Sequence, residues 1–260
     1  GKEYTPIYTK EREYNFFAIL KDGTPVIGEA SEYNKYKNNI QEAVGGAEIL
    51  VKDGVNQFIG KTSEKMPRCC VGITADGQII NLVLDGRQYP YSVGATYYEV
   101  AQILIDAGCV DAMELDGGGS ATYDAKQEGS DEVTVVNRPC DSVERSVSSS
   151  LVIVSTAVTS KEFDHAIVNT ATDYLTVGSS FDVSLTGVGA AGNMTEIPKN
   201  ATLRLSDETV GTLNGNKFTA VAKGKVDIQV VVDGKVVGSK TIEVITRPTA
   251  LSFTKDNINV

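Results

Sequence analysis

Histidine occurs only once in this 260-residue chain, at His165. A Ser-His-Asp triad, a Cys-His pair and a histidine-ligated zinc site each need a histidine beside the reacting groups. Away from His165, any catalysis must therefore use carboxylates, arginines, hydroxyl groups and backbone dipoles. Metal binding there is restricted to oxygen-ligated ions of the Ca²⁺ or Mg²⁺ type.

Basic runs and long apolar runs are also absent from the sequence. Lys and Arg number 24 against 34 Asp and Glu, which gives a formal net charge of −10, so nucleic acid is not an expected partner. No stretch approaches the roughly 20 apolar residues of a membrane span. The cysteines match no zinc-binding spacing, and free thiols and one or two disulfides both remain open. They are Cys69, Cys70, Cys109 and Cys140.

Three consecutive glycines stand out among the residues that are present, in segment 116–120 (DGGGS), directly after the apolar run 112–115. Without side chains, such a backbone can turn its successive N–H groups toward one point and form a concave anion site. Ser120 adds a hydroxyl donor, and Asp116 adds a carboxylate at the rim. On spacing alone, a phosphate-binding loop and a tight strand-to-strand turn remain equally good interpretations.

The first part of the chain has the pattern of an α+β domain with few helices. Apolar residues at helical spacing from Tyr97 to Leu104 predict one helix, with Thr96 as its N-cap and Gly108 as its C-terminal stop. Asp-Gly pairs at 22–23 and 76–77 indicate hairpins between flanking strands. The predicted strands are 16–20, 25–27, 47–51, 68–74, 78–84, 112–115, 120–123, 133–136 and 151–155.

From about residue 158 the pattern changes to short strands separated by turn residues, with no helical periodicity. Strands are predicted at 180–185, 226–232, 235–237 and 241–245, which indicates a small β-sandwich. Segments 205–213 (LSDETVGTL) and 218–224 (FTAVAKG) resemble bacterial group-2 Ig-like domains.

We therefore predict a mixed-sheet catalytic domain at 1–157, followed by an all-β Ig-like sandwich at 158–246. Residues 247–260 are predicted to be the first strand of a further Ig-like repeat, so the parent protein is expected to continue. Because such repeats are usual in secreted and surface proteins, the expected location is the outside of a bacterial cell.

Several separated segments of the first part form a recognisable set: 68–77 (RCCVGITADG), 84–87 (LDGR), 115–122 (LDGGGSAT), 136–139 (VNRP) and 144–145 (ER). Over roughly residues 14–155, their order and spacing resemble the phosphodiester glycosidase family. The resemblance implies a hydrolase that cleaves the glycosidic bond of a sugar-1-phosphodiester and releases free sugar and a phosphomonoester.

The resemblance also implies roles for individual residues. The catalytic residues it implies are Asp116, Glu99 and Asp85. The residues it implies for binding substrate and phosphate are Arg68, Arg87, Gly117, Gly118, Gly119, Ser120, Asn137 and Arg145. No cofactor is implied, and a bound Ca²⁺ or Mg²⁺ stays open.

Some of these side chains have a second interpretation. Thr96 and Glu99 have the spacing of a capping box, which explains Glu99 as well as a site role does. By strand alternation Glu114 and Asp116 share one face, either as a solvated rim, as a catalytic pair with split pKa values, or as ligands of a structural Ca²⁺. Asn137 also fits a role in shaping the turn that follows it.

Two further expectations concern the whole protein. Family members carry an Asn-Gly-Gly-Phe-Phe-type segment before the region matched here, and residues 15–17 (NFF) lack its glycines. The resemblance therefore implies that an N-terminal part of the catalytic domain is missing from this chain and is supplied by the parent protein. The alternative to an enzyme is a surface module that binds a phosphodiester-containing glycan without cleaving it.

Overall fold

A computed structural model describes residues 14–247. Within them the chain forms two compact units, the first comprising residues up to 125 together with 134–154, and the second comprising 126–133 together with the residues from 155 onward. The predicted start of a further repeat, 247–260, lies almost wholly outside the described residues.

Two antiparallel sheets form the framework of the first unit. The smaller sheet has the order β2-β1-β3 and consists of β1 (Asn15–Leu20), β2 (Pro25–Gly28) and β3 (Ile40–Gly46). The larger sheet has the order β5-β4-β8-β6-β7 and consists of β4 (Ile49–Lys52), β5 (Val55–Asn56), β6 (Arg68–Thr74), β7 (Ile79–Leu84) and β8 (Cys109–Glu114). The Asp-Gly turns join β1 to β2 and β6 to β7, as predicted.

Helices are few in this unit. A single turn, α1 (Tyr33–Tyr36), follows a 3-10 turn at Ala30–Glu32, and the longer α2 spans Tyr97–Asp106. The prediction of α2 is confirmed, including its N-cap at Thr96 and the left-handed backbone of Gly108, φ +91°. Strands with few helices make this an α+β unit, as the sequence predicts.

The larger sheet buries both of its faces. On one face, Phe17 and Ile27 of the smaller sheet pack against Val71 and Met113. On the other face, α2 contributes Val100, Ala101 and Leu104, which pack against a separate set of sheet residues including Leu50, Cys70 and Ala112. Cys70 and Val71 therefore point in opposite directions, as alternation along a strand requires.

The register of the larger sheet brings two of the segments singled out in the sequence to one edge. Arg68, at the start of β6, lies opposite Leu84, at the end of β7, and Cys70 lies opposite Glu114, at the end of β8. Because both neighbours run antiparallel to β6, the loops that follow β7 and β8 emerge beside the residues that precede β6. The segments 84–87 and 115–122 thereby meet at this edge.

The second unit contains strands and no helix among its described residues. Its strands are β11 (His165–Asn169), β12 (Tyr174–Thr176), β13 (Ser180–Asp182), β14 (Ser184–Val188), β15 (Met194–Thr195), β16 (Thr202–Leu205), β17 (Gly211–Asn214), β18 (Lys217–Ala220), β19 (Gly224–Val232) and β20 (Lys235–Ile245). They form the sheets β11-β14-β15, β12-β20-β19-β16 and β13-β18-β17. These sheets share one buried apolar core, in which Phe218, Ile228 and Ile242 are fully buried.

Five of the predicted strands were wrong in detail. Residues 120–123 form no strand, because Ser120 ends a 3-10 turn, Gly118–Ser120, and residues 121–123 have no regular structure. The next strand is β9 (Asp124–Lys126), which pairs with β10 (Val133–Val135). Residues 151–155 form no strand in the part of the chain that the structure describes. The predicted 180–185 strand divides at Val183, and 235–245 is one strand, β20, rather than two.

Candidate active site

The glycine turn, defined here as residues 117–120, forms a 3-10 turn at the sheet edge. The N–H of Gly118 donates to the carbonyl of Pro67 at 3.0 Å, and the N–H of Ser120 donates to the carbonyl of Gly117 at 3.2 Å. The prediction that successive amides of this turn converge on an anion is therefore wrong for these two N–H groups, because each already has a carbonyl partner within the fold.

Two arginine side chains lie directly against the glycine turn. A Cβ placed on Gly118 would lie 3.3 Å from Nη1 of Arg87, and a Cβ placed on Gly119 would overlap Nη2 of Arg145. Gly118 also has a left-handed backbone, φ +60°. Glycine is needed here because the two guanidinium groups occupy the space that side chains would fill. The glycine turn therefore lies against the positively charged side chains of two arginines.

Arg87 has few partners for its charge. Within residues 14–247, no carboxylate lies within 4.0 Å of its guanidinium nitrogens, and its Nη2 contacts Sδ of Met66 at 3.7 Å. Its own backbone is left-handed, φ 57°, which is a conformation that costs a non-glycine residue about 1 kcal/mol or more. A strained arginine with an unneutralised guanidinium is a good candidate for binding an anion.

Arg145 is paired with a neighbouring carboxylate. Its Nη2 and Nε donate to Oδ2 of Asp141 at 2.7 and 2.9 Å. The side chains of both residues are partly exposed, so the pair is accessible to solvent. Sequence reasoning missed Asp141, because a four-residue spacing indicates an ion pair only on a helix and residues 141–145 form none. A bound phosphate would compete with Asp141 for this guanidinium.

Glu114 and Asp116 differ in their surroundings. Strand β8 ends at Glu114, which is 5% exposed, whereas Asp116 follows the strand and is exposed. Alternation along one strand face therefore does not extend to Asp116. Burial first, and then the charges of Asp116 and Glu114, raise the pKa of the Cys69 thiol to about 11. Asp116 is thus an exposed carboxylate that directly precedes the glycine turn.

Arg68 points into the fold. Its Nη1 donates to Oε1 of Glu114 at 2.6 Å, its Nε donates to the carbonyl of Ala95 at 3.0 Å, and its Nη2 donates to the carbonyl of Glu64 at 2.7 Å. Its guanidinium also lies 4.0 Å from the ring centre of Tyr97. With 1% of its surface exposed, Arg68 has internal partners on several sides.

Asp85 and Asn137 tie the loop after β7 to the segment after β10. Asp85 accepts hydrogen bonds from Nδ2 of Asn137 at 2.9 Å and from the N–H of Arg138 at 3.0 Å. Asn137 also donates to the carbonyl of Ala121 at 3.0 Å and accepts from the N–H of Tyr123 at 2.8 Å. These bonds fix the residues that follow the glycine turn, so Asp85 and Asn137 position this segment.

Glu99 forms the capping box at the start of α2. Its Oε2 accepts from the N–H of Thr96 at 2.8 Å, and its Oε1 pairs with Nζ of Lys65 at 2.9 Å. The Thr96 N–H first, and then Lys65, lower the pKa of Glu99 to about 2. Two open hollows of about 450 Å³ each adjoin Glu99 and Tyr98, and the glycine turn lines neither of them.

A metal ion does not fit the carboxylates singled out in the sequence. Glu114 is held by Arg68, and within residues 14–247 no three His, Cys, Asp or Glu side chains are grouped to hold an ion. The cysteines of the chain are free thiols. Across the same described residues, no helix has the length and apolar content needed to cross a membrane.

The first 154 residues match the family described as phosphodiester glycosidase, and the chain belongs to this family. The prophage-derived uncharacterized protein YomE of Bacillus subtilis is 34% identical to it over 89 residues, which are 34% of this chain and 13% of that protein. The N-acetylglucosamine-1-phosphodiester alpha-N-acetylglucosaminidase of Bos taurus is 30% identical over 129 residues, covering 41% of this chain and 24% of that protein.

Two solved structures are also similar over part of their length. The catalytic domain of zebrafish N-acetylglucosamine-1-phosphodiester alpha-N-acetylglucosaminidase, auto-inhibited by its pro-peptide, is 26% identical, with a TM-score of 0.38 over 48% of this chain and 44% of that one. A hypothetical protein from Synechocystis is 23% identical, with a TM-score of 0.30 over 40% of this chain and 19% of that one. The chain spans less than half the length of each of these relatives.

Proposed function

We propose that this chain carries the phosphate-binding part of a hydrolase that cleaves the glycosidic bond of a sugar-1-phosphodiester. The observation that supports this most is the pair of guanidinium groups, from Arg87 and Arg145, packed on adjacent glycines beside the exposed carboxylate of Asp116. Two arginines suit the two non-bridging oxygens of a phosphodiester. Membership of the phosphodiester glycosidase family supports the same chemistry.

In this proposal the reaction breaks the bond between the anomeric carbon and the bridging oxygen. The electron pair of that bond stays on the phosphate oxygen, and a water molecule supplies the hydroxyl group of the released sugar. Arg87 and Arg145 hold the phosphate and stabilise its charge as it becomes a monoester. Asp116 accepts the proton of the attacking water or stabilises the developing positive charge on the sugar. A phosphomonoester leaves readily, so no general acid is required.

The remaining side chains of the site are assigned supporting roles. Arg68 positions Glu114 and the residues before β6, and Asp85 with Asn137 positions the exit of the glycine turn. Ser120 and the amide groups of Gly117 and Gly119 are further candidates for contact with the phosphate. Glu99 is held as an anion at the start of α2, which suits charge stabilisation better than proton donation.

Release of phosphomonoester from a panel of sugar-1-phosphodiesters tests the proposal. Asp116→Asn and Arg87→Ala should each lower turnover at least tenfold while leaving the unfolding midpoint within the usual range of surface substitutions. Asp124→Asn, which changes an exposed residue of β9, and Arg204→Ala, which changes an exposed residue of the second unit, are the matched controls. Unchanged turnover in Asp116→Asn, or equal losses in variant and control, would rule out these roles.

The alternative is that the site binds a phosphodiester-containing glycan without hydrolysing it. One observation favours it, since Asp141 already occupies the guanidinium of Arg145. Binding of the same phosphodiester, without release of any phosphomonoester, would support this alternative over the enzyme.

We further propose a setting for this activity. The second unit serves as an Ig-like spacer, which its resemblance to group-2 Ig-like domains at 205–213 and 218–224 supports. The name of the bovine relative supports a substrate of the N-acetylglucosamine-1-phosphodiester type. Secretion or display on a bacterial surface fits a chain of this arrangement, and detection of the protein in culture medium or on intact cells would test it.

A further inference from the structure

The loop that follows β7, residues 85–94, is held firmly although much of it is exposed. Gln88 and Ser92 exchange two backbone hydrogen bonds, at 2.8 and 3.0 Å. The hydroxyl of Ser92 donates to the carbonyl of Asp85 at 2.6 Å, and Nε2 of Gln88 donates to the carbonyl of Arg138 at 2.6 Å. Loops of this size at a protein surface normally have fewer constraints, so this one presents its tip in a fixed position.

Two tyrosines lie at the tip of this loop. Tyr91 is 58% exposed, yet its hydroxyl donates to Asp85 at 2.9 Å and the guanidinium of Arg138 lies 5.0 Å from its ring centre. Tyr89 is 78% exposed. An aromatic ring offered to solvent on a pinned loop contributes contact area to a ligand without the entropic cost of ordering the loop on binding.

The place of Tyr89 in the sequence, close to Arg87, indicates a partner for its ring. Tyr89 follows Arg87 by two residues, and the Arg87 guanidinium packs on Gly118 of the glycine turn. Because two residues of backbone span at most about 7 Å, the Tyr89 side chain starts close enough to Arg87 to contact the next chemical group of a ligand whose phosphate binds Arg87. In a sugar-1-phosphodiester that group is a pyranose ring, whose apolar C–H face stacks on an aromatic side chain while its hydroxyl groups stay in water.

We propose that Tyr89 is a stacking platform for the pyranose ring of the substrate, with Tyr91, Arg138 and Asp85 fixing the loop that carries it. The proposal rests on the proposed function, since it takes Arg87 as the phosphate ligand. Tyr89 thereby selects ligands that carry a sugar next to the phosphate over ligands that carry a phosphate alone.

Calorimetric titration with two phosphomonoester probes tests this inference on the full chain. The probes are N-acetylglucosamine 1-phosphate, which has a pyranose ring, and glycerol 1-phosphate, which has none. Tyr89→Ala should weaken binding of the sugar phosphate about threefold to tenfold, the range of an aromatic stacking contact, and leave glycerol 1-phosphate unchanged. Tyr89→Phe should bind both probes as the wild type does, because it keeps the ring.

Two controls isolate the contribution of the Tyr89 ring. Tyr174→Ala removes a similarly exposed tyrosine of the second unit and should change neither affinity. Arg87→Ala should weaken the binding of both probes equally, because both carry the phosphate that Arg87 is proposed to bind. If the proposed hydrolysis is wrong, no phosphomonoester is released from the phosphodiesters. The two probe affinities can still be compared in that case, because their binding does not depend on hydrolysis.

The inference is overturned if Tyr89→Ala weakens both probes equally or neither of them. It is also overturned if the wild-type protein binds neither probe, or if Tyr89→Phe loses as much affinity for the sugar phosphate as Tyr89→Ala does.

Discussion

Replacing Arg68 by methionine should destabilise the first unit strongly. The substitution leaves the Glu114 carboxylate buried without its cationic partner, and it removes donors from the carbonyls of Ala95 and Glu64. Removing one partner of a buried ion pair costs about 3–5 kcal/mol. At roughly 3 °C per kcal/mol for a unit of this size, the thermal midpoint should fall by about 9–15 °C.

The matched variant combines Arg68→Met with Glu114→Leu. Because both charges are then absent, a large part of the lost stability should return, as replacement of buried ion pairs by apolar residues usually permits. Urea denaturation of the wild type and the three variants, with Glu114→Leu as the third, measures the coupling of the two residues. A loss below about 1 kcal/mol in Arg68→Met, together with loss of phosphate binding, would refute the internal role and make Arg68 a ligand of the substrate.

Four further substitutions test other parts of the account. Gly119→Ala should displace Arg145 and lower monoester release, whereas Gly45→Ala, which meets no atom closer than 3.7 Å, should not. Arg87→Gly should abolish phosphate binding in titrations and raise stability by up to about 1 kcal/mol, because it relieves a left-handed backbone. Asp141→Asn should strengthen binding of inorganic phosphate about twofold to fivefold, because it frees Arg145 from an exposed ion pair. Glu99→Ala should cost about 1 kcal/mol at neutral pH. Since the folded pKa of Glu99 lies near 2, below its ordinary value of 4.5, this contribution is complete above that value and is lost as the pH falls toward 2. The free energies of unfolding of the wild type and of Glu99→Ala, measured across that pH range, should therefore become equal at low pH.

Features that depend on local chemistry were predictable from the sequence. The Asp-Gly turns at 22–23 and 76–77 fix their hairpins because few residues other than glycine tolerate the backbone angles of Gly23 and Gly77. The capping box of Thr96 and Glu99 fixes the start of α2 for the same kind of reason. The meeting of segments 84–87 and 115–122 was implied by resemblance, and the antiparallel register of β6 with its two neighbours supplies its physical cause.

Features that depend on distant partners were not predictable in this way. Strand β3 was missed because most of its residues are exposed, so it lacks an apolar pattern. Residues 151–154 have a strand-like apolar sequence, yet strand formation requires a paired neighbour that no local pattern reports. Arg68 turns inward because Glu114 lies on the adjacent strand, and the arginines that pack on Gly118 and Gly119 come from segments far away along the chain.

The position of the cleaved bond is the most direct test of the proposed chemistry. Hydrolysis of a sugar-1-phosphodiester in ¹⁸O-labelled water, followed by mass spectrometry of both products, identifies the atom that water attacks. The account predicts that the label enters the sugar and that the phosphomonoester remains unlabelled, because the anomeric carbon is the electrophile. Label in the phosphomonoester would mean attack at phosphorus and would contradict the assignment of a glycosidase.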